Sequence, residues 1–131
     1  MTQYKYTTEA AARFSKHGVD LSVYGLADSS VTVAHVRVAE GHFEEFYNLK
    51  STYTLYIISG SGTFYLNDEA LDVGAMDLVV IPPKTRIYYL GTMEMVLTVS
   101  PAWDEANERH VRFLEKSHIS NLPASLDRRP V

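Results

Sequence analysis

From about residue 19 onward the chain alternates apolar and polar positions in short runs with a period of two. These runs are Leu21 to Tyr24, Val31 to Val38, Tyr53 to Ile58, Thr63 to Leu66, Leu78 to Ile81, Ile87 to Leu90 and Met93 to Val99. That period places alternate side chains on opposite faces of a strand and predicts some seven strands. The separators are Asp28-Ser29-Ser30, Gly41, Ser59-Gly60-Ser61-Gly62, Asn67-Asp68-Glu69, Gly74, Pro82-Pro83 and Gly91, all of them turn chemistry with no helical pattern between. Strands joined by short turns are antiparallel, and so many of them close into a sandwich, barrel or jelly roll that hides the edges. Ahead of the strands, Thr7 to His17 carries alanines, a threonine able to cap and Glu9 in a first turn, which predicts a short N-terminal helix. After Pro101, the charged stretch Trp103 to Lys116 predicts a turn of helix or a last strand, and NLPASLDRRPV an irregular C-terminal tail.

The expected architecture is one all-β domain spanning 1–131, with a barrel core over about 19–115 and a tail over about 117–131. Apolar residues make up 46% of the chain and charged residues 21%, enough to build a core without disulfides or a membrane. The net charge of −4, with both signs interspersed, offers no basic face and argues against nucleic acid as a partner. Cysteine is absent, which removes thiolate nucleophiles and Cys-type metal sites and fits a reducing cytoplasm. No apolar stretch is long enough for a membrane span or shaped like a signal peptide, so the expected location is cytoplasmic.

Two blocks carry more information: GHFEEFYNLKSTYTLYIISGSG from Gly41 to Gly62, and MDLVVIPPKTRIYYLG from Met76 to Gly91. In order and spacing they resemble the two motifs of the cupin superfamily, G-x5-H-x-H-x3-E-x6-G and G-x5-P-x-G-x2-H-x3-N. Laid from Gly41, the first motif puts its histidines on Tyr47 and Leu49, its glutamate on Tyr53 and its closing glycine on Gly60. The second, laid from Met76, puts its proline on Pro82, its inner glycine on Lys84, its histidine on Ile87 and its asparagine on Gly91. The resemblance, covering Val31 to Pro101, implies a cupin-type antiparallel β-barrel or jelly roll. It also implies that the four metal-ligand places are held by two phenols and two alkyl groups. Neutral phenol is a poor ligand for a divalent ion and alkyl carbon is none, so the expectation is no metal and no cofactor.

By parity, Tyr47, Leu49 and Tyr53 share one face, as do Ile87 and Tyr89, and the resemblance turns these faces toward the cavity. The expected ligand-binding residues are therefore Tyr47, Leu49, Tyr53, Ile87 and Tyr89, apolar walls with a few hydroxyls that suit a small organic molecule. The first functional reading is a metal-free binding barrel. A second is a metal-independent isomerase, epimerase or cyclase, since metal-free relatives in the superfamily use histidine and tyrosine as base and acid; the candidates here are His35, Tyr47 and Tyr53. A third is a structural or regulatory barrel that pairs with itself, and a homodimer through Tyr56, Ile58, Tyr88 and Leu90 is expected. Among the other histidines, His42 beside Glu44 and Glu45 is the one combination able to rebuild a metal site, while His110 and His118 fall in the charged segment.

Overall fold

A computed structural model describes residues 3–26 and 30–114. Nine strands follow one another: β1 Ala11–Lys16, β2 Val19–Tyr24, β3 Thr32–Val38, β4 Gly41–Asn48, β5 Thr52–Leu66, β6 Glu69–Gly74, β7 Leu78–Ile81, β8 Ile87–Ser100 and β9 Glu108–Phe113. All pairings are antiparallel, in the order β1-β2-β3-β8-β4-β9, with β5 pairing β8 on its other edge and itself flanked by β6 and β7. This is the all-β cupin barrel that the motif spacing implied. No helix among the described residues is long and apolar enough to cross a membrane.

The two long strands organise the barrel. The first part of β8 pairs with β4 and its second part with β3, while β5 runs along nearly the whole of β8 and carries β7 and β6 on its far edge. Gly60 and Gly91, expected as turns, instead lie inside these strands at φ +88° and +143°. There the strands pass so closely that a Cβ on Gly91 would stand 2.5 Å from the Gly62 Cα, which only glycine permits. Each long strand therefore joins two runs that the turn chemistry had separated. β1, β4 and β6 add to the five strands so formed, and the charged segment after Trp103 yields β9, the ninth.

The expected N-terminal helix is not formed. Only a 3-10 turn at Thr8–Ala10 remains, and Ala11–Lys16 pairs residue for residue with Val19–Tyr24. Alanine tolerates a strand, and the hairpin pairs the backbone groups that face β2, whereas an isolated helix turn is too short to be stable. The loop of that hairpin is His17-Gly18, both at positive φ (51° and 97°), the backbone of a tight primed turn. The tail at 117–131, and His118 within it, lie outside the described residues.

The core is the inward parity. Leu55 and Ile57 are buried while Tyr56 and Ile58 between and beyond them are exposed. Phe64, fully buried, stacks on Tyr89 at 4.8 Å between ring centroids. Burial of that ring contributes roughly 2–3 kcal/mol and the stacking about 1 kcal/mol more. Tyr88 and Leu90, expected at a dimer interface, are buried inside the protomer; Tyr88 is covered by Tyr65 and by Arg112.

Candidate functional site

The barrel encloses a cavity of about 280 Å³. Aliphatic side chains of β2, β3, β5 and β8 form most of its wall, and β1 and Trp103 complete it. The polar side chains that reach it are few: Lys16 from β1, Thr32 from β3, His42 and Glu44 from β4, Tyr53 from β5, Tyr89 from β8 and Glu108 from β9. Alternation on β4 explains its contribution, since His42, Glu44 and Phe46 share the inner face.

His42 is buried, and its Nδ1 stands 2.7 Å from the Glu44 carbonyl oxygen. A carbonyl only accepts, so Nδ1–H donates and Nε2 keeps a free lone pair. Burial lowers the pKa of the ring from 6.5 to about 4, outweighing the Glu44 carbonyl and carboxylate that pull it upward. The imidazole is thus neutral at pH 7. It packs against Phe46 and Tyr89, at 5.1 and 5.3 Å between ring centres; His42 and Tyr89 are cross-strand partners in the β4–β8 ladder.

Burial acts in the opposite direction on the phenols. It pushes Tyr89 and Tyr53 well above the ordinary tyrosine value, so both keep their protons. The Tyr53 hydroxyl is buried without a hydrogen-bond partner, with the Asn48 amide and Glu108 carboxylate as the polar groups that act on it. Asn48 is itself fixed, its Oδ1 accepting from the Lys50 and Ser51 backbone amides at 2.9 and 2.7 Å.

A second polar group closes the side of the cavity where the edge strands β1 and β9 face each other. Glu108 accepts from Lys16 Nζ at 3.2 Å and from the Trp103 indole N–H at 3.0 Å, and the Lys16 ammonium lies over the Trp103 ring. Nearby, Glu44 accepts from His110 Nδ1 at 2.8 Å through Oε2. Its Oε1 is 3.5 Å from His17 Nε2, without a hydrogen bond. On the outer face of β4 the buried Glu45 is held by Arg86 at 3.0 Å and Arg112 at 2.8 Å.

Of the site residues expected from sequence, Tyr53, Ile87 and Tyr89 line the cavity together. Tyr47 and Leu49 do not: Tyr47 has the parity opposite to His42, and Leu49 lies in the connection after β4. His35 also stands outside. It alternates with the inward Ala34 and Val36 and points to Glu94 on the outer surface, with Arg37 3.8 Å from the same carboxylate. The acid-base combination of His35 with Tyr47 or Tyr53 is therefore not assembled. The histidine that faces the phenols is His42, and the signal for it was the period-two series His42, Glu44, Phe46 directly after Gly41.

A metal of the kind other cupins hold does not fit these side chains. The phenols stay protonated and are poor ligands, and although His42 keeps its Nε2 lone pair, among the described residues no group of three or more His, Asp or Glu side chains is placed to hold an ion with it.

No protein-family model matches the chain, and a search of curated proteins returns no match. Solved structures do match. Streptomyces PAC13 with uridine, carrying a Tyr-to-Phe substitution, is 59% identical with a TM-score of 0.86, over 89% of this chain and 97% of that one. A second PAC13–uridine structure, with a His-to-Gln substitution, matches at the same identity and TM-score over 88% and 97%. Pac13, described as a nucleoside dehydratase, gives the same values. An RmlC-like cupin from Shewanella frigidimarina matches at 14% identity and a TM-score of 0.66, over 80% of this chain and 96% of that one, a likeness of fold alone. This chain belongs to the cupin superfamily, in one family with Pac13.

Proposed function

We propose that this protein is a metal-independent dehydratase that removes water from the sugar of a nucleoside. The observation that carries this reading is the pairing of a neutral His42 with a protonated Tyr89 across the β4–β8 ladder in the wall of the barrel cavity. Kinship with a nucleoside dehydratase over 97% of its chain supports it. So does the fact that PAC13 structures with uridine carry substitutions of a histidine and of a tyrosine, the two residue types that meet here.

The chemistry follows from the protonation states. His42 Nε2 takes a proton from a sugar carbon, the electron pair of that C–H bond forms a C=C bond, and the C–O bond on the next carbon breaks. The departing hydroxide takes the Tyr89 phenol proton and leaves as water. The phenolate is then reprotonated by the imidazolium, and both groups return to their starting state. A base with so low a pKa removes a proton only from carbon acidified by a neighbouring carbonyl, so suitable substrates include nucleosides oxidised at a sugar hydroxyl. We favour an enzyme over a barrel that only binds, because a buried neutral imidazole and a phenol in contact supply both proton transfers.

The test is incubation of the purified, exhaustively chelated protein with such nucleosides, read by mass spectrometry. The expected product has lost one molecule of water, and His42→Gln abolishes its formation. Activity that vanishes on chelation and returns with a divalent ion would overturn the metal-independent reading.

We further propose that the protein is a homodimer joined through the outer face of β5 and β7. Tyr56, Ile58, Leu78 and Val80 are 41–59% exposed there on one parity of adjacent strands, a contiguous row of apolar side chains that a second copy would cover. Sedimentation should give a dimer in the wild type and a monomer for Leu78→Lys/Val80→Lys.

A further inference from the structure

The charges around the cavity do not balance. Three ionisable side chains reach it besides His42 and the two phenols: Lys16, Glu44 and Glu108. Lys16 and Glu108 are paired at 3.2 Å and cancel. Glu44 remains. Its ring partners His110 and His17 do not line the cavity and are 45% and 30% exposed, where water and salt screen them. The arginines that could receive an anion are turned away: Arg86 and Arg112 are bound to Glu45 on the opposite face of β4.

We propose that this arrangement makes the cavity selective for an uncharged nucleoside and shuts out its phosphorylated forms, with Glu44 and Glu108 as the residues that set the specificity. The inference rests on the nucleoside reading above and deepens it. A phosphate brought into the cavity loses its hydration and meets a carboxylate with no cation free to receive it. To recruit Lys16 it must break the bond to Glu108, which exposes a second carboxylate, so neutralising the ligand leaves the cavity as negative as before. For one unit of phosphate charge about 7 Å from Glu44, with an effective permittivity of about 20, the repulsion corresponds to roughly a fiftyfold loss of affinity. A sugar hydroxyl suffers none of this, because it brings no charge, and Glu108 can accept a hydrogen bond from it.

The experiment measures, by calorimetry at pH 7, the affinity of the wild type for uridine, for uridine 5′-phosphate and for 5′-O-acetyluridine, whose added bulk is uncharged. The same ligands are then measured with Glu44→Gln and with Glu108→Gln, after checking that each variant melts cooperatively. The expected pattern is that uridine and the acetyl derivative bind within about tenfold of each other while the phosphate binds at least about fiftyfold more weakly than uridine, and that Glu44→Gln narrows the phosphate gap by about tenfold or more. Phosphate binding within a few-fold of uridine overturns the proposal and leaves the nucleoside reading standing. Equal rejection of the phosphate and the acetyl derivative also overturns it, since bulk alone then excludes them. Failure of all three ligands to bind removes the nucleoside reading itself.

Discussion

Replacing His42 by Gln should make the fold less sensitive to acid even as it destroys the base. In the unfolded chain the imidazole titrates near 6.5, whereas burial in the cavity wall holds it to about 4. Between those values the unfolded chain takes up a proton that the folded protein refuses. Stability is therefore full above pH 6.5 and is lost as pH falls toward 4. At one proton and about 1.4 kcal/mol per pH unit, the loss comes to about 2.5 kcal/mol by pH 4.5 and levels off near about 3.4 kcal/mol well below pH 4. That is a sizeable share of the 5–15 kcal/mol that ordinarily separates folded from unfolded chains.

Urea denaturation of wild type and His42→Gln at pH 7 and pH 4.5 isolates this contribution. Carboxylates such as Glu94, held low by His35 and Arg37, and Asp68, held low by Arg86, titrate in both proteins. They cancel in the comparison. The wild type should lose about 2.5 kcal/mol more than the variant on acidification, and its kcat/KM should stay flat down to about pH 5 rather than falling below 6.5. Equal losses in the two proteins would refute the argument, because His42 would then be free to take its proton in the folded state.

Tyr89→Phe keeps the ring stacked on Phe64 but removes the proton donor, so turnover should fall about a hundredfold or more while the melting temperature changes little. Gly91→Ala drives a methyl group to 2.5 Å from Ser61 O and the Gly62 Cα; thermal denaturation should show a loss above about 2 kcal/mol or failure to fold. Glu45→Ala strips Arg86 and Arg112 of their shared buried partner and should cost about 2–3 kcal/mol in urea, with nucleoside affinity kept because Glu45 points away from the cavity.

The barrel was legible in the sequence because most strands show one buried face. Leu55 and Ile57 against Tyr56 and Ile58 is such a case, and it needs no knowledge of partners. The site was harder to read because β4 is buried on both faces. His42, Glu44 and Phe46 face the cavity, yet Glu45 is equally buried under two arginines. Alternation therefore could not say which parity is inward, and motif spacing favoured Tyr47 and Leu49. Similarly, Lys16 meets Glu108 across 92 positions of sequence, and nothing local marks either residue. The helix expected at the N-terminus failed for the same kind of reason: three alanines do not oppose it, but the edge of β2 claims the segment.

Burial in the cavity wall, away from water, is a single cause with two opposite chemical effects. It disfavours whichever form of a group carries charge, so it drives the imidazole pKa down and the phenol pKa up. The two move apart until, across the neutral range, the base has its lone pair and the acid has its proton. A surface histidine such as His35, tied to Glu94, lies outside the cavity and faces neither phenol. The same exclusion of water makes buried charges depend on partners, as Glu108 depends on Lys16, and it underlies the anion exclusion proposed above. The burial that prepares His42 and Tyr89 therefore also restricts what they meet, and the acid sensitivity expected of the fold is the thermodynamic counterpart of keeping that base uncharged.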